Sequence, residues 1–568
     1  MKLGKKNFII ILLSVGILIS GTANFVFSYY IGLSFIRPLE QNVLTVGVPS
    51  GGGQLSSLDP VNSLDGYTKK VISQVLEPLW SYNYSDENIP HIHMLAVNET
   101  WISNTQLRVF LRRDVKFHDG TQFNANAVKW NLERIMYLCN FTGELDPVTQ
   151  LIARTHKLFE FPDGSPIFDH FEIINLYTID IFLAAPYSPI MDLMCSVACG
   201  MLSPSSHSKT EKIYPDANKL IGTGPYKFDL YTPDTEIRFS RWGGYWREPV
   251  QFDALVYNYL PSYEIIYYLM LSGEVDYTFW ARYDYRGLLN ESPWVTYKEE
   301  ETPNPGYVYL LMNNNKINKT WRKAISYAIN YSHILKIHEE TYKDFVVRAQ
   351  SPISPALYGY DPTVKAPEYN LTFAREIMVS MGFGELPWND TQWRNAEFAE
   401  FKYSYVINYG SSEILYFSLL KDNLNLIGIT LLDDGILHLN PFMPLPWEID
   451  LNYLEFYLEG SGVDYLDPIN ILLDLFSKSS ENNLAQVDDP WLEQKFTEAL
   501  QELNETARAE IYSMIQHYFT EELFPHAFMY HPIRHTVHVA DLYNFPYNPL
   551  GVFYPYPIKR NFTWSPYS

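Results

Sequence analysis

The chain has only three cysteines in 568 residues, Cys139, Cys195 and Cys199. That excludes a disulfide framework as the source of its stability. Cys195 and Cys199 stand at helical spacing in MDLMCSVACG, on one face and poorly placed for a bridge to each other. A pair without histidine is also a poor zinc site. Buried free thiols, or one bridge from Cys139 to either of the others, both stay open.

Positive charge is scarce as well: 42 Lys and Arg face 65 Asp and Glu, a net charge of -23. Phosphate binding needs clustered Lys and Arg, so nucleic acid is excluded as a partner, and adhesion of the body to an anionic membrane surface is disfavoured. The chain lacks G-x-S-x-G, H-E-x-x-H and a paired acid with an evident partner, so an enzyme is not expected. Gly51-Gly52-Gly53 lacks the Lys-Ser/Thr of a phosphate loop. His91 and His93 are two apart without a third ligand, and His526, His531, His535 and His538 fit no tight metal motif. No cofactor and no metal are expected.

Aromatic residues are abundant: 16% of the chain, with 44 Tyr and 13 Trp. An apolar body with a polar tip suits ligand clefts and external surfaces. The length suffices for two or three domains. Apolar content of 47% with 19% charged residues is globular.

Lys2, Lys5 and Lys6 precede an apolar stretch from Phe8 to Ile36, and the next charge is Arg37. At about 1.5 Å per residue such a stretch exceeds a hydrocarbon core of about 30 Å. Lysines before it put the N-terminus inside and the body outside. We expect residues 1–41 to be a retained membrane anchor, with a cleaved signal, Gly21 and Ala23 being the small residues before its cut, as the rival. Ten Asn-X-Ser/Thr sequons, at Asn83, Asn98, Asn140, Asn290, Asn318, Asn330, Asn370, Asn389, Asn504 and Asn561, support exposure outside the cell.

The chain is organised around 98–130. Leu107, Val109 and Leu111 alternate with Arg108, Phe110 and Arg112, the period of a half-buried strand. Asp119-Gly120 marks a tight turn. Asn124 or Asn126 then caps a helix with the apolar face Val128, Leu132, Ile135 and Met136. His118 beside Asp119 reads as structural, since adjacent strand residues point to opposite faces.

The stretch LRVFLRRDVKFHDGTQFNANAVKWNLER resembles the signature of the family 5 solute-binding proteins, the peptide-, nickel- and oligosaccharide-binding receptors of ABC importers. The later elements GTGPY (Gly222–Tyr226), GEVD (Gly273–Asp276) and DYLDPINIL (Asp464–Leu472) fall in the same order. The lipid-modified cysteine common in that family is absent near residue 20. The resemblance implies an α/β, bilobal periplasmic-binding-protein-like fold of the large type II class, with an extra domain and a hinge between lobes. A discontinuous first-lobe domain would comprise 42–82, 206–303 and 526–568, an inserted domain 83–205, and the second lobe 304–525. The hinge is expected near Glu301 to Asn315, where Pro303, Pro305 and Gly306 interrupt the pattern.

The family's ligand-contacting Asp falls on Asp464, next to Tyr465, where a carboxylate gains a charge-assisted hydrogen bond with a ligand ammonium. The resemblance places Trp80 and Trp280 on the cleft wall, and Tyr409 and Trp447 can stack on a side chain or sugar ring. For Asp467 the residue pattern favours a helix cap, with Pro468 in the first turn. The loop VINYGSSEIL lacks the Arg with which dipeptide-selective relatives hold a carboxylate. The function implied is a cell-surface receptor, on the outer face of the cytoplasmic membrane, that binds oligopeptides between its lobes. It would deliver them to ABC permease subunits with a cytoplasmic ATPase. An oligosaccharide-binding receptor is the alternative.

Overall fold

In the computed structural model the described residues are 42–50, 55–63, 65–84, 86, 91–145, 152–279, 289, 291–338, 346–405, 411–436, 453–546 and 548–563. The expected anchor, the turn Gly51–Gly53, and the candidates Trp280, Tyr409 and Trp447 lie outside them. Among the described residues no helix is long and apolar enough to cross a membrane.

Strand Gln106–Leu111 alternates as its sequence requires, with Leu107, Val109 and Leu111 buried. It sits inside a four-stranded antiparallel sheet between Ala96–Ser103 and Thr178–Leu183, with Phe168–Asn175 outermost. Asn124 caps the helix Ala125–Leu138 by accepting from the Asn126 and Ala127 amides. That helix buries Val128, Leu132 and Ile135.

A larger, twelve-stranded sheet runs through the rest of the molecule. On one side Val43–Pro49 pairs in parallel with Ala254–Leu260, which leads outward to Glu236–Arg241 and Tyr226–Thr232. On the other side Tyr307–Met312 leads to Phe456–Ser461, Ala399–Tyr405 and Ile429–Ile436. One strand of 14 residues, His526–Val539, joins the two sides. Its first half pairs with Tyr307–Met312 and Val346–Arg348. Its second half pairs with Val295–Pro303 and Tyr277–Thr278.

The chain therefore passes between the two sides at adjacent places, residues 304–306 and 531–533. These are stitched together. The Asn304 amide donates to the Pro532 carbonyl (2.9 Å), and His531 Nδ1 donates to the Gly306 carbonyl (2.8 Å). The register of the pairing slips between Glu299 and Pro303, as expected where a sheet changes direction.

Three local expectations need correction. The apolar pattern of residues 320–335, with Ile325, Ala328 and Ile329 on one face, predicts one helix, but the segment forms two. Lys319–Ala328 ends at Ile329, which is extended, because Asn330 caps a second helix, Tyr331–Ile337. Cys195 and Cys199 do not share a helix, because Ser196 adopts extended backbone between Ile190–Cys195 and the short 3₁₀ turn Val197–Cys199. All three cysteines are free, and burial raises each thiol well above its ordinary range. Five sequon asparagines, Asn318, Asn330, Asn370, Asn389 and Asn504, each cap a helix through the side-chain oxygen. Much of the sequon richness thus follows from helix-start chemistry, in which Asn is among the best capping residues.

Candidate functional site

The two most distinctive sequence elements meet each other rather than a ligand. His118 lies against GTGPY: its amide donates to the Gly222 carbonyl (2.9 Å) and its Nε2 donates to the Gly224 carbonyl (2.8 Å). Burial drives its imidazole down to about 4, so it is neutral. The glycines permit this seam. A Cβ at Gly222 would stand 2.2 Å from the Val75 carbonyl oxygen, and one at Gly224 would stand 2.7 Å from that of Gln74. Beneath it, buried Glu77 accepts from Thr223 Oγ1 (2.8 Å), Tyr245 OH (2.6 Å) and Trp246 Nε1 (2.9 Å). Asp59 of the LDP turn forms a fully buried pair with Arg134 and also accepts from the Ile213 amide (2.9 Å). This is a scaffold of buried polar groups, paired except at His118 Nδ1.

The contacts that cross between the sides of the molecule are of another kind. The helix Gly66–Ile72, capped by Asp65, carries Lys69, whose ammonium pairs with Asp464. Both side chains keep about a fifth of their surface exposed, 17% and 20%. The Asp464 amide donates to Asn470 Oδ1 (2.7 Å), which fixes the turn that presents the carboxylate. Asp467 does cap the helix Pro468–Phe476, accepting from the Ile469 amide (2.9 Å). It also accepts from Tyr512 OH at 2.5 Å and faces Arg508, and burial pushes its carboxyl up to about 6. Tyr82 OH donates to Asp192 (2.8 Å) and accepts from the Leu466 amide (3.0 Å).

Next to these contacts is a cavity of about 470 Å³, within the range of small-ligand sites. It opens at the crossing point itself, lined by Asn304, Pro532, Ile533, Arg534 and Thr536, with Lys70 from the helix that carries Lys69. One wall is aromatic: Tyr277 stacks on Phe553 (ring centres 4.5 Å) and on Phe545 (5.6 Å).

Of the candidates within the described residues, Asp464 stands between the two sides of the molecule. Trp80 and Tyr465 are instead core residues, 1% and 2% exposed. Trp80 is held by its indole N–H on Glu99 (3.1 Å), and Tyr465 OH meets Tyr187 OH (3.1 Å). Sequence reasoning missed Lys69, Lys70 and Arg534. Lys69 and Asp464 are 395 positions apart, and no local pattern announces such a pair. Each of the four late histidines has its own neighbour. His526 stacks on Tyr309 (4.1 Å), His535 Nδ1 meets Tyr297 OH (2.8 Å), and His538 donates to the Val539 carbonyl (2.8 Å), while His531 serves the crossing.

Two α/β sides, linked through adjacent crossing segments with a cavity at the crossing, define a two-lobed binding protein. The model of the bacterial extracellular solute-binding proteins, family 5, matches residues 92–483, and the chain belongs to that family. It is 24% identical over 341 residues to the glutathione-binding protein GsiB of Escherichia coli strain K12, covering 58% of this chain and 60% of that one. The chain thus spans about 60% of the length of the curated relatives it matches. Its fold is shared with DppA of Helicobacter pylori solved with the peptide STSA (TM-score 0.73, 19% identity, 91% of this chain and 98% of that one). It is shared also with the dipeptide-binding protein of Pseudoalteromonas sp. SM9913 solved with Met-Leu (TM-score 0.74, 18% identity, 91% and 100%). The fold is the bilobal periplasmic-binding-protein-like α/β fold.

Proposed function

We propose that the chain is an extracytoplasmic receptor of an ABC importer that binds peptides between its lobes and hands them to a membrane permease. The observation that carries this is the cavity at the crossing of the two lobes, in a chain of family 5. The names of its relatives add weight, since those compared above bind glutathione or were solved with a dipeptide or a tetrapeptide. We assign the first lobe to 42–82, 206–303 and 526–568, the inserted domain to 83–205 and the second lobe to 304–525. Residues 304–306 and 531–533 act as the hinge. Residues 1–41 hold the receptor at the outer face of the membrane.

A ligand shifts such a molecule toward the closed form only through contacts made better there. Asp464 is one such contact. A ligand α-ammonium displaces Lys69 and takes over a charge-assisted bond worth about 1.5–3 kcal/mol. The aromatic wall and trapped water accept varied side chains.

Native mass spectrometry of the detergent-solubilised full chain, with release and identification of what it retains, tests this function. Short peptides are expected. A hexose-spaced series would replace the peptide ligand with an oligosaccharide, and turnover of the released ligand would replace the receptor with an enzyme.

A further inference from the structure

Helix capping accounts for the asparagine of five sequons but not for the hydroxyl residue two places further on. Ser and Thr make up 67 of the 568 residues, so 37 asparagines would head about four sequons by composition, and the chain has ten. Seven of the ten carry Thr although Ser outnumbers Thr by 39 to 28, a bias that composition does not supply. Six described α-helices are capped by an asparagine side chain. In five of them, after Asn318, Asn330, Asn370, Asn389 and Asn504, the second helical residue is Ser or Thr. The four capped by an Asp or Ser side chain have Tyr67, Glu264, Ile469 and Trp491 at that position. A helix start does not itself call for a hydroxyl there; the hydroxyl follows the asparagine.

These hydroxyls do not serve the fold. Thr320, Ser332, Thr372, Thr391 and Thr506 are all exposed, and none of their hydroxyl groups makes a hydrogen bond among the described residues. The asparagine amide nitrogens are equally uncommitted, because each cap works through Oδ1. Asn318 accepts from the Thr320 and Trp321 amides (3.1 Å each), Asn370 from the Phe373 amide (3.0 Å), Asn389 from the Gln392 amide (3.0 Å) and Asn504 from the Ala507 amide (3.0 Å). In none of the four does Nδ2 donate to a described residue. All four are exposed, whereas Asn330 is half-buried with its backbone amide on Asn423 Oδ1 (2.5 Å). None of the five lines the cavity at the crossing.

We propose that Asn318, Asn370, Asn389 and Asn504 are modification sites, each carrying an N-linked oligosaccharide on Nδ2. The proposal rests on the extracytoplasmic placement given above, where a membrane-bound transferase meets the chain. The hydroxyl two residues on is the mark that such a transferase reads. In the transfer Nδ2 attacks the anomeric carbon of a lipid-phosphate-linked oligosaccharide. A C–N bond forms as the bond from that carbon to the phosphate oxygen breaks. The lipid phosphate leaves with the electron pair, and the amide proton passes to the transferase. The cap survives, because Oδ1 remains an acceptor after Nδ2 is substituted. One residue thus starts a helix and anchors a glycan. The glycans stand on the surface of residues 304–525 and away from the cavity, so they cover helix starts, where orphan backbone donors invite fraying, without closing the way to a ligand.

The test is glycopeptide mass spectrometry of the full chain isolated from the cells that make it, with protease accessibility on intact cells to show which side of the membrane it occupies. Each of the four asparagines is expected to carry a hexose- or N-acetylhexosamine-spaced mass in at least half of the molecules, and Asn330 in fewer than a tenth. Thr320→Ala, Thr372→Ala, Thr391→Ala and Thr506→Ala, made in the same cells, are each expected to remove one glycan and one step of electrophoretic retardation. Each leaves its asparagine cap in place, so helix content by circular dichroism is expected to be unchanged. Where an alanine variant folds poorly, the Thr→Ser variant at that position, which preserves the sequon, is expected to keep the glycan. A chain exposed on intact cells with two or more of the four asparagines bare overturns the glycosylation and leaves the receptor function standing. A chain shielded inside the cells and bare overturns both. Glycan that persists in the alanine variants overturns the sequon as its cause, and equal occupancy at Asn330 overturns selection by exposure.

Discussion

Two polar regions of this molecule differ in one physical respect. Around His118, Glu77 and the Asp59–Arg134 pair the polar groups are buried, and all but His118 Nδ1 have partners. Around Lys69 and Asp464 the charges join parts of the chain 395 positions apart, and about a fifth of each side chain stays exposed. The first arrangement holds a shape. The second is the one we propose a ligand exchanges with, because charges that water still reaches lose less on parting than fully buried ones. The most family-specific letters of the sequence belong to the first region, and the residues proposed to meet a ligand belong to the second.

The largest effect that would sharpen this contrast is expected from Arg134→Met. Asp59 would keep its backbone donors but lose its counter-charge in a fully buried place, which costs about 3–5 kcal/mol. Urea unfolding measures it, and a loss below about 1 kcal/mol would place this region on a par with a surface pair.

Acid gives the next effect. His118, His338, His531 and His538 are held at about 4 by burial, against about 6.5 in an unfolded chain. Their contribution is present above pH 6.5 and is lost as pH falls toward 4, by up to about 3 kcal/mol for each. Asp467 and Asp474, raised to about 6 by burial, act oppositely: their contribution is full below about 3.8 and is lost as pH rises through 6. Four histidines outweigh two carboxylates, so Tm is expected to fall between pH 6.5 and 4. His118→Phe flattens that slope, and calorimetry across the range checks it.

The smallest effect on stability is expected from Lys69→Met. A pair this exposed contributes about 1 kcal/mol or less. The same change leaves Asp464 without its internal partner, so affinity for peptides with a free α-ammonium is expected to rise several-fold while N-acetylated peptides do not gain. Titration of both sets measures it. A loss of stability near that of Arg134→Met would remove the distinction between the two regions.

What was legible in the sequence follows the same division. The strand, turn and capped helix of 106–138 could be read because each signal acts within a few residues: alternation, Asp-Gly, an Asn cap. The cap at Asp467 was legible for the same reason, and Asn330 could have announced the break after Ala328 had its capping role been weighed against the continuing apolar pattern. Trp80 could not be sorted between wall and core, because an aromatic residue looks alike in both; its burial and its indole bond to Glu99 are visible only once the strands 80–82 and 96–103 are brought together. Lys69, Lys70 and Arg534 gave no sign, since two lysines in a short helix are ordinary. Their meaning comes from partners several hundred residues away.

The strand His526–Val539 has a consequence for how the molecule is made. It pairs with partners on both sides, and Val43–Pro49 waits for Ala254–Leu260 more than two hundred residues later. A growing chain can complete neither half of the large sheet until residues past 525 are available, whereas the four-stranded sheet and its helix need only residues 96–183. Folding is therefore expected to begin in the inserted segment and finish abruptly, with low local and high distant contact content. For a receptor that works outside the cytoplasm, as proposed for this one, a late-closing sheet would keep the chain threadable until nearly all of it has crossed.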